Sequence, residues 1–199
     1  MLKNYFLITI VLFLLADTTG YAQSDLPKME VGAQFTLNRL RALTETDLGV
    51  GGRVTYNFTR NIAAEGEFNY FPGNLKVSSL TYSRSRLQGL FGIKAGWRSD
   101  AAGIFGKFRP GFIRFKGAPL FCTNFAPSLI CTIATGVTEY ATDVGGVFEL
   151  YPSRHTVARF DLGDTIIRFA GPFPSDPASA TSRLTSHNIQ FTAGVGIRF

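Results

Sequence analysis

Charge is scarce in this 199-residue chain, with Asp, Glu, Lys and Arg making up 17% of it against about 25% in ordinary soluble domains. Intrinsic disorder is thereby excluded, because it requires high charge and low apolar content. Long apolar runs are missing beyond the N-terminus, so no later segment reaches the roughly 17 to 25 residues that a membrane-spanning helix needs. The 20 basic and 14 acidic residues leave a net charge of +6 that is spread along the chain. No Lys/Arg run marks a nucleic-acid tail. There are only two histidines and two cysteines. His155 and His187 stand far apart with no Cys or paired carboxylates beside them, so they read as surface residues, and no metal or cofactor is expected. Dinucleotide, P-loop and H-E-x-x-H motifs are absent.

What the chain has in abundance is Gly (21) and Phe (19), a pairing that suits β-structure with aromatic surfaces rather than a helical bundle. The start is a separate unit. Lys3 precedes an apolar run from Tyr5 to Ala16, and Gly20-Tyr21-Ala22 places small residues before a cut. Residues 1–22 therefore read as a secretory signal peptide, too short for a spanning helix. The exported domain is 23–199. Export permits a disulfide, and the spacing of Cys122 and Cys131 fits neither a zinc knuckle nor a redox C-x-x-C, so the two are expected to be bridged.

Eight segments then alternate with a period of two, the signature of strands with one apolar and one polar face. They fall at 28–37, 48–58, 62–71, 86–97, 104–115, 140–150, 158–162 and 188–199. In the second, Leu48, Val50, Val54, Tyr56 and Phe58 oppose Gly49, Gly51, Arg53, Thr55 and Asn57. In the fifth, Pro110-Gly111 predicts a bulge after which parity is lost. The connections 38–47, 72–83, 116–139 and 169–186 are long, whereas 59–61, 98–102 and 152–155 are short. Long loops at one end and tight turns at the other are the pattern of a transmembrane barrel. The predicted fold is all-β, an eight-stranded antiparallel up-and-down transmembrane β-barrel with both termini at the short-turn, periplasmic end.

Periodicity alone also fits a soluble ligand-carrying barrel with its faces reversed. Three features favour the transmembrane form. Glycines at 49, 51, 92, 96, 145, 163, 194 and 196 share the polar side, where a narrow lumen needs room for long charged side chains. Tyr56, Phe58, Trp97, Tyr151 and Phe199 fall at the short-turn ends as one aromatic girdle, with Phe35, Tyr70, Phe112 and Tyr140 as the other. The third is the final residue, Phe199.

Three stretches carry a family likeness: Gly51-Gly52-Arg53-Val54-Thr55-Tyr56-Asn57-Phe58, Ala64-Glu65-Gly66-Glu67-Phe68-Asn69-Tyr70-Phe71-Pro72, and Phe191-Thr192-Ala193-Gly194-Val195-Gly196-Ile197-Arg198-Phe199. In these the chain resembles the small OmpA-like and OmpX-like eight-stranded outer-membrane barrels. The resemblance implies a bacterial outer-membrane location and contact with outer-membrane lipids. It also implies that Phe191, Val195, Ile197 and Phe199 form a C-terminal signal read by the barrel-assembly machinery. Long loops would meet an extracellular ligand, and no nucleic acid or peptidoglycan-binding domain is expected.

Within such a barrel the inward charges would be Glu30, Glu65, Glu67, Asp143, Glu149 and Asp161 with Lys28, Arg53, Arg86, Lys94, Lys107, Arg109, Arg159 and Arg198. Hairpin geometry sets Arg53 beside Glu65 or Glu67 and Arg159 beside Glu149. Buried charges must pair, so a lumen plugged by charge networks is expected. A small, slightly anion-preferring porin-like channel is the alternative. A lipid A-modifying enzyme is a further one, but its only local candidate is Ser186-His187-Asn188, and strand neighbours face opposite sides. No catalytic residue is expected.

Overall fold

Each alternating segment becomes a strand, and their closure into one ring determines everything inside it. The computed structural model describes residues 27–40, 45–77, 80–83, 85–116, 119–125, 128–133, 136–169 and 184–199, with 40, 45, 74–77, 80–83, 119–125, 128–133 and 184 described by backbone alone. The expected signal segment 1–22 lies outside the described residues. The strands are β1 (Met29–Leu40), β2 (Glu45–Asn57), β3 (Ile62–Phe71), β4 (Asn74–Val77), β5 (Leu80–Ser83), β6 (Arg86–Arg98), β7 (Ala102–Phe115), β8 (Pro119–Phe125), β9 (Ser128–Ile133), β10 (Val137–Ser153), β11 (Thr156–Phe169) and β12 (Leu184–Arg198). Eight of them close in the order β1-β12-β11-β10-β7-β6-β3-β2. Every pairing is antiparallel between sequence neighbours in the ring, and β1 with β12 makes the seam.

The register fixes the shape. Following Cα partners from Met29 through Tyr56, Ala64, Ile93, Phe108, Val144, Asp164 and Ile189 returns the path to β1 at Arg39, a stagger of ten residues. Eight strands with that stagger tilt about 40° from the axis at a backbone radius of about 8 Å, which leaves an interior only wide enough for side chains.

The faces divide by parity. Trp97, Phe199, Ile104 and Val195 are each at least 60% exposed outward, whereas Glu30, Lys94, Arg109 and Glu149 are completely buried inward. An apolar exterior around a charged interior inverts the soluble ligand-carrying barrel.

Three expectations need correction. The bulge at Pro110-Gly111 does not occur: β7 keeps one register along β10, and along β6 the same register holds on both sides of a lapse between Leu90/Gly111 and Ile93/Phe108. Pro110 lies in that lapse, where it has no N–H to donate, so the strand loses ladder bonds without gaining a residue. Tyr151 is not in the outward girdle; it shares parity with Glu149 and is 7% exposed inside the barrel. The long-loop ends also carry more strand than expected. β10 alone runs 17 residues, and the second and third long connections contain the hairpins β4-β5 and β8-β9.

Candidate functional site

The inward face of the short-turn half is a single ion-pair network. Among the described residues it joins six carboxylates, Glu30, Glu65, Glu67, Asp143, Glu149 and Asp161, to six cations, Lys94, Arg98, Lys107, Arg109, Arg159 and Arg198. Two arginines bind its centre. Arg159 grips Glu65 through Nη1 and, at 2.9 Å, Nη2, while its Nε donates to Asp161 at 2.8 Å. Glu149, directly opposite Arg159 in the β10-β11 register, lies 3.3 Å from Nη1. Arg109 donates to Glu67 at 2.5 Å and, through Nε at 3.0 Å, to Asp143. Lys94 pairs with Glu149 and stands 3.4 Å from Glu65.

Such density of buried charge is tolerable because the ions share partners: among the described residues Glu30, Glu65, Glu149, Lys94, Arg109 and Arg159 each meet three or more opposite charges, while Lys107, Arg198 and Glu67 each meet one; an isolated buried ion would cost several kcal/mol. Local sequence makes the space. A Cβ on Gly163 would sit 2.6 Å from Asp143 Oδ1, 3.0 Å from the Val144 carbonyl oxygen and 3.1 Å from Lys107 Cε, so glycine leaves the room in which that pair meets. Toward the short turns the network ends on aromatic rings. Tyr151 donates its hydroxyl to Glu149 at 2.7 Å, and the Arg198 guanidinium lies 4.1 Å from the Tyr151 ring centre. Arg98 reaches both Phe105, at 5.2 Å, and Tyr151, at 5.4 Å.

Above the ions the lumen turns to neutral polar groups. The Gln190 side-chain carbonyl accepts from Asn38 at 2.9 Å, Gln88 at 3.1 Å and Thr165 at 3.0 Å, tying β12 to β1, β6 and β11. Asn69 likewise links Gln34, Glu67 and Gln88. Beyond them, toward the long-loop end, Leu90, Ile113, Ala141 and Ile167 are fully buried together with Phe115 and Phe169 against them. Arg86, one of the inward charges, joins this upper level instead of the ion network. It bonds Asp47 at 2.5 Å and lies 4.8 Å from the Phe71 ring centre. The interior is thus filled in three tiers: ionic, amide and apolar.

Arg53 does not pair as the hairpin pattern predicts. It faces Glu67 across β2-β3, yet no carboxylate lies within ion-pair distance among the described residues. Its Nη1 is 3.5 Å from Gln34 Oε1, and its Nε and Nη2, in a side chain 3% exposed, have no partner. Glu67 is already held by Arg109, and the Arg159 side chain takes Glu65. Lys28, which precedes β1, is exposed rather than enclosed.

Arg98, which the short connection 98–102 would take in, belongs to β6 and continues the inward even positions of Arg86, Gln88 and Lys94. The inward apolar residues have no signal in a pattern that expects a polar lumen. Ser186 and His187 do point to opposite faces, Ser186 buried and His187 exposed; His187 Nδ1 meets Asp164 Oδ2 at 2.6 Å on the outside. Of Cys122 and Cys131 the backbone shows that they are direct partners across β8-β9. Among the described residues no group of three or more His, Cys, Asp and Glu is placed to hold a metal ion.

No family model and no curated protein matches the sequence. Solved structures do resemble the fold. The Yersinia pestis attachment invasion locus protein Ail, in complex with the heparin analogue sucrose octasulfate, is 12% identical, with 86% of this chain and 96% of that one covered at a TM-score of 0.51. Neisserial surface protein A is 9% identical over 86% and 96% at 0.48, and the N-terminal barrel domain of Pseudomonas aeruginosa OprF 12% identical over 85% and 97% at 0.42. The chain has the fold of the small eight-stranded outer-membrane β-barrels.

Proposed function

We propose that this chain is an integral protein of the bacterial outer membrane, a closed, non-conducting barrel that serves the envelope as a structural or surface-interaction protein and not as an enzyme. The carrying observation is the inversion of its faces: apolar side chains cover the outside, while six carboxylates and six cations neutralise one another inside. Water would penalise that exterior, and hydrocarbon favours it. The apolar tier of Leu90, Ile113, Ala141 and Ile167 supports a sealed lumen over a pore. Met29 and Phe199 lie together at the short-turn end, which in this reading faces the periplasm with both termini, and the β4-β5 and β8-β9 hairpins of the long connections serve contact with an extracellular ligand. Cys122 and Cys131 form a disulfide that staples the second hairpin, since direct antiparallel partners have the Cα separation a bridge needs. Phe191, Val195, Ile197 and Phe199 serve as the signal for the barrel-assembly machinery.

The test combines outer-membrane fractionation, heat-modifiable migration on gels and conductance in planar bilayers. The proposal expects an outer-membrane protein that shifts on boiling and passes no steady current. A stable anion-preferring current would replace it with the pore, and recovery in the aqueous phase without detergent would overturn the membrane assignment.

A further inference from the structure

Arg53 stands apart from the other cations of the ionic tier. Among the described residues its guanidinium hydrogen-bonds only a neutral group, Gln34 Oε1 at 3.5 Å from Nη1, while Nε and Nη2 have no acceptor although the side chain is 3% exposed. The carboxylates on the neighbouring strand β3 are committed elsewhere. Glu67, its partner in the β2-β3 register, accepts from Arg109 at 2.5 Å and from Asn69 at 2.6 Å, and both oxygens of Glu65 are taken by Arg159. Arg98 and Lys107 also have nitrogens without an acceptor, yet each has a carboxylate within ion-pair distance. With Arg53 counted, the tier sets seven cations against six carboxylates among the described residues. The wall beside the guanidinium is bare of side chains. Gly32 faces Arg53 across β1-β2, and Gly196 faces Gly32 across the seam. Both share the inward parity of Glu30 and Arg198, and a Cβ on Gly32 would lie 3.3 Å from Arg53 Nη2.

We infer that Arg53 holds one small monovalent anion of the chloride class inside the barrel, bound by its Nε and Nη2 beside Gly32. The inference needs only the closed ring and goes beyond the membrane reading above. Nε and Nη2 are the two donors of one edge of the guanidinium, the fork that grips an anion from the side. Water satisfies such donors but leaves the charge, and a buried cation without a counter-charge is costly. An anion removes both deficits at once. The interior has room only for groups of side-chain size, which selects a monatomic ion over phosphate or an organic acid. At the short-turn rim the comparison differs, because the exposed Arg60 is paired with Asp100 at 2.8 Å.

The test is urea unfolding of the full chain in a non-ionic detergent, followed through the single tryptophan, Trp97, with chloride exchanged for gluconate at constant ionic strength. Above the dissociation constant, each tenfold rise in chloride should lower the unfolding equilibrium constant of wild type about tenfold. R53M should show no chloride dependence and, in gluconate, should be at least as stable as wild type. Q34E, which sets a carboxylate where Nη1 already points, should also lose the dependence; the slope with chloride is read within each variant, so the loss of the 2.9 Å bond from Gln34 to Asn69 does not affect it. R60Q at the rim should keep the wild-type slope. A wild type indifferent to chloride, or an equal slope in R53M, would overturn the site. Anomalous diffraction from wild-type crystals grown in bromide needs no variant: one peak against Arg53 Nε and Nη2 is expected, and a water or the Glu67 carboxylate in that place would refute the inference.

Discussion

Met29 and Phe199 exchange two backbone hydrogen bonds of 2.9 Å each, Met29 N–H to Phe199 O and Phe199 N–H to Met29 O. This pair stitches the first strand to the last at the short-turn rim, so the seam and the proposed assembly signal share a residue. Deleting Phe199 removes both bonds and a ring that is 61% exposed on the outside. Insertion should fall sharply, and quantifying folded protein in the outer membrane by heat-modifiable migration checks it. Normal levels of the truncated barrel would count against the signal.

Arg159→Ala takes one cationic partner from Glu65, Asp161 and Glu149 at once, because this guanidinium contacts all three. Losing one member of a desolvated network costs about 3–5 kcal/mol, whereas a water-filled lumen would limit the loss to under about 1 kcal/mol. Urea unfolding in detergent measures the difference.

Arg53→Met is expected to act in the opposite direction. Arg53 carries a buried charge with no carboxylate within ion-pair distance among the described residues, so replacing it by an apolar side chain of similar length should leave stability unchanged or raise it by about 1–3 kcal/mol. Arg109→Met, which removes the partner of Glu67 and Asp143, should destabilise in the same assay. Equal losses in the two variants would show that Arg53 is compensated.

The Cys122–Cys131 bridge should form without being needed for the barrel, because β8 and β9 pair only with each other. Mass spectrometry of the non-reduced protein should find no free thiol, and the double Cys→Ser variant should insert at wild-type levels. Labelling of two thiols in the untreated protein would refute the bridge.

Period-two alternation told which side chains share a face, because parity is local: once Arg53, Glu65 and Lys94 sit opposite runs of apolar neighbours, their common side follows from the pleat alone. Loop lengths told which strands are hairpin partners, and the opposition of Glu149 and Arg159 needed nothing more. The sequence also contained the inward direction of Arg98 and Tyr151, whose parity matches their strands, although Arg98 borders a short connection and Tyr151 is an aromatic at a strand end. What only the closed ring decided is who meets whom across the lumen. Arg159 reaches Glu65, 94 residues away, and Arg53 loses Glu67 to Arg109 because a ten-residue stagger around eight strands sets their heights. That stagger belongs to the whole sheet, and no local pattern encodes it.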